Sequence, residues 1–314
     1  MITTLDPGRA HRTLNVEDNI VFSKVWDKKG FPIDLKMCLI GQSGNAEMRA
    51  AAGIDDEPLT ALRPVVLWLN GSAWHCSEKN RMLAELTYLA DAGYLVAIAE
   101  YRGSEQAQFP AQLLDVKTAV RFLRAHAEKY RIAPARIAVM GRSAGGHLAA
   151  WMAMDAPEYS GKGEWSRYSD QVTMAVDLFG PVDIPLCTKR NLARLDTPNA
   201  RFRTLSQTPE GQLLGYRDNM SWEELERLGR SGSPIYRITE KTRPITILHG
   251  DADGVVPLEI SQRFYISLVR AGLEKQSDLF IVHNGGHGTR EFFQPETQQV
   301  ILAQLRKYLG RAAD

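Results

Sequence analysis

At 314 residues and 44% hydrophobic content, the chain can build one large α/β domain or two small ones. A formal net charge of +1, with no block of like charges, offers no electrostatic attraction to nucleic acid or an anionic membrane. Three widely spaced cysteines, Cys38, Cys76 and Cys187, exclude a disulfide framework and a tight Cys/His zinc cluster, and suit a reducing compartment.

The opening stretch Met1 to Gly8 has no apolar core of signal-peptide length, and no later run approaches a membrane span, so a cytoplasmic location is expected. No internal repeat or low-complexity segment occurs. The first sixty residues read as a strand-rich lead-in: Ile20-Val21-Phe22 and Ile33 to Met37 predict two strands, and Gln42 to Glu57 predicts a loop. After that, buried strands alternate with amphipathic helices. The strands are expected at Val65–Leu69, Leu95–Ala99, Ile137–Met140, Met174–Phe179, Ile245–Leu248 and Leu279–Val282. Such alternation predicts a mostly parallel sheet with helices on both faces.

Behind Pro110, Leu113, Val116, Val120, Leu123, Ala127 and Tyr130 recur at three- and four-residue steps and predict one helix. Ile301, Leu305 and Tyr308 give the last helix its core stripe. Between about Asp183 and Ser233 the alternation stops. That polar stretch predicts two short helices, one behind Thr208-Pro209 and one behind the capping box Ser221-Trp222-Glu223-Glu224. Its length and its place after the sixth strand predict a cap over a functional site.

Gly141-Arg142-Ser143-Ala144-Gly145 stands between the strand Ile137–Met140 and the small-residue helix that starts at Gly146-His147. In that context G-x-S-x-G is a nucleophile elbow, a sharp turn that pushes a serine hydroxyl out above the sheet. A serine needs a histidine to accept its proton, and the histidine needs a carboxylate to fix its tautomer. On a strand–turn–helix scaffold the partners follow in the order Ser, acid, His. The loop after Leu248 holds two acids, Asp251 and Asp253. Asp253 is favoured because it lies further out and Gly254 permits a turn back, while Asp251 reads as a turn or capping residue. The loop after Val282 holds His283 and His287. His287 is favoured because Gly285, Gly286 and Gly288 give its backbone freedom, while His283 ends the strand and reads as packed. Oxyanion donors are expected from the Ala144 N–H and from the loop Asn70-Gly71-Ser72-Ala73-Trp74, with Ser72 and Ala73 as candidates.

With these segments in order, the chain resembles the α/β-hydrolase superfamily, and within it the esterases related to hormone-sensitive lipase and to bacterial feruloyl and acetyl-xylan esterases. The similarity runs from about Val65 to the C-terminus. Asn70 to Trp74 stands in the place of the family's His-Gly-Gly-x-Trp loop. Tyr101-Arg102, Phe109-Pro110 with Asp115, and Gly141 to His147 match further motifs. The family's acid loop aligns its aspartate with Asp253, and its Gly-His-Gly aligns its base with His287. The departures are Asn70 in place of histidine and Ser72-Ala73 in place of glycines. Serine at a position needing φ > 0 would be strained. Arg142 reads as a surface or packing residue. Arg102 with Asp115 reads as a structural ion pair, and His147 and His249 as core residues. Trp74, Trp165 and Trp222 are candidates to stack on a sugar or aromatic acyl group, Trp74 first because its loop lines the site.

The expectation is a single α/β-hydrolase domain over residues 1–314 with a cap-like insertion at 183–233. Its implied activity is that of a serine carboxylesterase acting on short acyl esters, acetyl esters of carbohydrates first and feruloyl esters next. No cofactor or metal is expected, and a small-molecule or oligosaccharide ester is the expected partner. Similar enzymes commonly form homodimers. An arylformamidase-like amidase and a prolyl-oligopeptidase-type peptidase are the enzyme alternatives; the latter lacks the N-terminal length for a propeller. A non-catalytic receptor on the same fold is the last alternative.

Overall fold

The computed structural model describes residues 3, 13–42, 61–76, 78–195, 197 and 201–310. Most of the predicted loop Gln42 to Glu57 lies outside these residues. Eight strands form one sheet: β1 (Leu14–Trp26), β2 (Pro32–Gln42), β3 (Arg63–Leu69), β4 (Leu95–Ala99), β5 (Ile132–Arg142), β6 (Met174–Leu178), β7 (Ile245–Gly250) and β8 (Ser277–Val282). Their order is β1-β2-β4-β3-β5-β6-β7-β8. β1 and β2 pair antiparallel with each other, β2 pairs antiparallel with β4, and the strands from β4 to β8 run parallel. This is the α/β-hydrolase architecture expected from the sequence.

The parallel strands are largely apolar because helices cover both faces, Val65–Leu69 and Leu95–Ala99 wholly so. Among the helices are α1 (Thr87–Asp91), α2 (Ala111–Ala125), α3 (Ala127–Tyr130), α4 (Ala144–Ala153), α5 (Ile184–Leu195), α6 (Pro209–Leu214), α7 (Trp222–Ser231), α8 (Leu258–Arg270) and α9 (Pro295–Leu309). On one face Leu113, Val120, Leu148, Trp151, Phe264 and Leu268 pack on Val65, Leu67 and Val139. On the other, Leu86, Leu89, Ile301 and Leu305 pack on Val66, Trp68 and Met140.

Two expectations are corrected. The helix behind Pro110 is broken: α2 ends at Ala125, His126 leaves the helical region (φ −109°, ψ 24°), and the short α3 follows, stopped by Arg131 in the left-handed region. The insertion also contains a third helix. α5 opens beside Asp183, whose side chain accepts the Leu186 N–H at 3.4 Å, and buries Ile184, Cys187 and Thr188. The two predicted helices do form. Thr208 caps α6 by accepting the Gly211 N–H, and Ser221 and Glu224 form the complete capping box of α7.

Candidate active site

Ser143 follows the last residue of β5 and precedes α4, with φ 53° and ψ −122°. A non-glycine residue holds that conformation only where its surroundings over-determine it. Here the Ser143 N–H donates to Leu178 O at 2.8 Å, and its carbonyl accepts from His147 N at 2.9 Å. The turn is sharp enough that a Cβ on Gly141 would stand 2.3 Å from Gly145 O, and one on Gly145 would stand 2.1 Å from Leu69 O. Only glycine fits at either position.

The loops after β7 and β8 bring the partners. His287 Nε2 lies 2.9 Å from Ser143 Oγ, and His287 Nδ1 lies 2.7 Å from Asp253 Oδ2. With the proton on Nδ1, the ring donates to the carboxylate and offers Nε2 to the serine hydroxyl. Asp253 Oδ1 accepts two backbone N–H groups, from Val255 at 2.8 Å and Val256 at 2.9 Å. His249 Nε2 stands 3.4 Å from Asp253 Oδ2. Burial alone would raise the Asp253 pKa, but the hydrogen bonds from His249 and His287, the nearby His287 charge and the Val255 N–H together hold it well below the usual carboxylate range.

The alternative residues form a second pair. Asp251 Oδ2 lies 2.8 Å from His283 Nδ1, and Asp251 Oδ1 accepts the Asn284 N–H. The His283 side chain is 83% exposed, so it is a solvent-facing group rather than the packed residue expected from its place at the strand end. His249 is fully buried, with Nδ1 against Ser261 Oγ (2.7 Å) and Nε2 against Val256 O (2.9 Å).

The loop after β3 presses on the elbow. Tyr101 Oη donates to Asn70 O at 2.7 Å, while the Asn70 side chain accepts from Trp68 Nε1 and donates to Glu78 O. Asn70 thus ties the loop down from a buried position. The His75 N–H donates to Ser72 O at 3.0 Å across Ala73 (φ 54°) and Trp74 (φ 59°), which makes a type I′ turn. The left-handed strain therefore sits at Ala73 and Trp74, and Ser72 does not share it. Trp74 is 2% exposed, and its indole N–H donates to His147 Nδ1 at 3.1 Å. His147 Nε2 donates in turn to Gly232 O at 2.7 Å, and burial lowers this histidine to about 4, so it is neutral.

Beneath the elbow, Asp177 is fully buried on β6. Its Oδ1 accepts the Gly180 N–H at 2.8 Å and its Oδ2 has no hydrogen-bond partner among the described residues; burial pushes its pKa up to about 7. Arg102 clasps Asp115 through two side-chain bonds of 2.9 and 2.8 Å, the structural pair expected.

A cleft of about 480 Å³ opens over Ser143 and His287, with Ser72, Ala73, Trp74 and Ala144 on its wall. The insertion supplies another wall, including Cys187, Arg190, Phe202 and Glu210. Trp165 and Trp222 do not line the cleft. Trp165 donates to Phe22 O and packs on Phe122, and Trp222 is 41% exposed on α7. Arg142 does line it, contrary to its reading as a surface or packing residue. The available signal was its position at the carboxyl end of a parallel strand, where open α/β sheets bind ligands. Among the described residues, no group of three or more His, Cys, Asp or Glu side chains is placed to hold a metal ion, and no helix is long and apolar enough to cross a membrane.

A family model described as BD-FAE matches residues 56–268. Esterase LipC of Mycobacterium tuberculosis is 30% identical over 72% of this chain and 53% of its own length. Isoprenylcysteine alpha-carbonyl methylesterase ICME of Arabidopsis thaliana is 25% identical over 74% of this chain and 52% of its own. The chain spans about half the length of the curated relatives it matches. Among solved structures, a truncated carbohydrate esterase from gut microbiota superposes with a TM-score of 0.71 at 26% identity, covering 96% of this chain and 99% of that one. The butyrate-bound esterase Est2 of Thermogutta terrifontis superposes with a TM-score of 0.65 at 22% identity, covering 93% and 91%, and shares the fold.

Proposed function

The chain belongs to the BD-FAE family, and on that premise we propose that it is a serine carboxylesterase for short acyl esters, acetyl esters of carbohydrates above all. The observation that carries this reading is the relay Ser143–His287–Asp253, with hydrogen-bonding distances of 2.9 and 2.7 Å, at the floor of the cleft. In the proposed mechanism His287 Nε2 takes the Ser143 proton as Oγ attacks the ester carbonyl. Asp253 holds the ring's tautomer and stabilises the imidazolium. The tetrahedral oxyanion is held by the Ala144 N–H at the start of α4 and by N–H groups of the Ser72–Ala73 turn. His287 then protonates the departing alcohol, and later activates the water that releases the acid from the acyl-enzyme.

Residues 183–233 act as the cap of this single domain, a reading supported by their side chains on the cleft wall. Trp74 is offered as a substrate contact there. The unpaired cysteines Cys38, Cys76 and Cys187 suit a cytoplasmic setting. The carbohydrate assignment draws support from the likeness to a carbohydrate esterase. The feruloyl reading is second, supported by Phe202, which offers aromatic surface to an aromatic acyl group on the cleft wall.

The test is hydrolysis of 4-nitrophenyl acetate, butyrate and octanoate and of acetylated xylo-oligosaccharides, with Ser143→Ala alongside. Acetate turnover lost in the variant supports the proposal. Turnover of none of these esters, or turnover that survives Ser143→Ala, overturns it.

A further inference from the structure

Arg142 and Arg81 both line the cleft beside Ser143. Among the described residues, neither guanidinium has a hydrogen-bond or ion-pair partner, whereas the other two cleft arginines are engaged: Arg190 donates to Gly254 O (2.9 Å) and Val255 O (3.0 Å), and Arg201 lies over the Phe202 ring. Burial lowers the Arg142 pKa, the charge of Arg81 lowers it further, and Glu85 is the opposing carboxylate, too distant to form an ion pair. Among the described residues, the one carboxylate that the insertion brings to the wall, Glu210, is buried and engaged by Asn191 Nδ2 at 3.0 Å. Arg142 is half-buried and Arg81 is exposed, so the unpaired Arg142 charge is the one an incoming anion stabilises most, with Arg81 adding a second positive charge beside it.

The position says which part of the substrate that anion belongs to. A Cβ on Gly288 would lie 3.7 Å from Arg142 Nη1, so the guanidinium sits beside the residue that follows His287. The base returns its proton to the departing alcohol, so Arg142 stands on the alcohol side of the ester. We infer that Arg142 and Arg81 form an anion subsite that selects esters whose alcohol carries a carboxylate, such as acetylated uronic acids or oligosaccharides containing one. This inference rests on the esterase reading and narrows its substrate class.

The experiment compares kcat/KM for 4-acetoxybenzoate and its neutral counterpart 4-acetoxybenzamide, each divided by its uncatalysed rate, in wild type, Arg142→Gln and Arg81→Gln. A charge-assisted contact predicts a wild-type preference for the anion of about tenfold or more, reduced in both variants and by added salt. A wild type that treats both esters alike, or a preference that persists in both variants, overturns the subsite. A fall in both substrates by the same factor assigns Arg142 to the oxyanion instead and also overturns it. Glucuronate titrated into Ser143→Ala, with glucose as the neutral control, reads the subsite without turnover. Glucuronate binding that Arg142→Gln removes, in a protein that hydrolyses no ester, sustains the subsite and sinks the esterase reading; absence of glucuronate binding counts against the subsite alone.

Discussion

Gly71 lies directly against Ser143: a methyl group on Gly71 would stand 2.8 Å from Ser143 Cβ and 2.5 Å from the Arg142 carbonyl oxygen. The loops after β3 and β5 thus meet closely at the proposed oxyanion site. Gly71→Ala must displace one of them. The expected result is a folded protein whose kcat for an aryl acetate falls about 10²-fold, because a misplacement of an ångström at a reacting centre has that effect. Circular dichroism and kinetics on the same sample check it, and an unaltered kcat would remove this loop from the oxyanion site.

The two Asp–His pairs give opposite expectations. Asp253→Asn forces the wrong tautomer on His287 and should lower kcat roughly 10³- to 10⁴-fold with little change in KM. Asp251→Asn breaks only the exposed contact with His283 and should leave kcat within about twofold. Steady-state kinetics of both variants decide which carboxylate serves the serine; reversed effects would exchange their roles.

Asp177 makes stability depend on pH. Burial raises its folded pKa from 3.8 to about 7. Between about pH 4 and pH 7 the folded protein keeps a proton there that the unfolded chain has released, so this group's contribution falls as pH rises through that window. Asp177→Asn keeps the Oδ1 acceptor for Gly180 and removes the ionisation. Its melting temperature should therefore gain on the wild type at pH 8 relative to pH 5. A constant difference between the two proteins at both pH values would contradict this. Asp253, depressed rather than raised, acts in a separate window below its unfolded pKa, where its contribution is lost as pH falls.

Asp170 is 4% exposed and holds two buried cations, Lys117 Nζ at 3.1 Å and Arg121 Nη1 at 3.0 Å. Asp170→Ala strands both, and the expected loss is about 3–5 kcal/mol in urea unfolding. None of these groups lines the cleft. Turnover per folded molecule should hold, and a loss of kcat without a loss of stability would give Asp170 a different role.

The strands were legible because a buried parallel strand is a continuous apolar run, such as Val65–Leu69, all at or near zero exposure. The caps of α6 and α7 were legible because each is decided by one or two side chains within four residues, Thr208 for α6 and Ser221 with Glu224 for α7. α5 was not. Its first turn holds Pro185, whose missing N–H costs nothing there, and neither a Thr-Pro start like that of α6 nor a capping box like that of α7 announces it. The meeting of Ser143, Asp253 and His287, on which the proposed function rests, was legible because each stands in a loop at the carboxyl end of an apolar run. Arg142 was not, because its side-chain direction depends on how the turn at Ser143 meets a loop from residue 288, and one-dimensional spacing carries none of that. The same limit applies to Trp165, whose partners Phe22 and Phe122 come from distant segments, and to Trp222, which stays exposed on α7.

The order of the sheet also bears on when the site comes into being. Ser143 follows β5 in the middle of the sheet, whereas His287 follows β8, which among the described residues is an edge strand paired only with β7. During synthesis the serine emerges 144 residues before the histidine 2.9 Å from it in the finished structure. A nascent chain therefore displays the hydroxyl long before it has the base. On the proposed mechanism, hydrolysis therefore waits on the docking of β8.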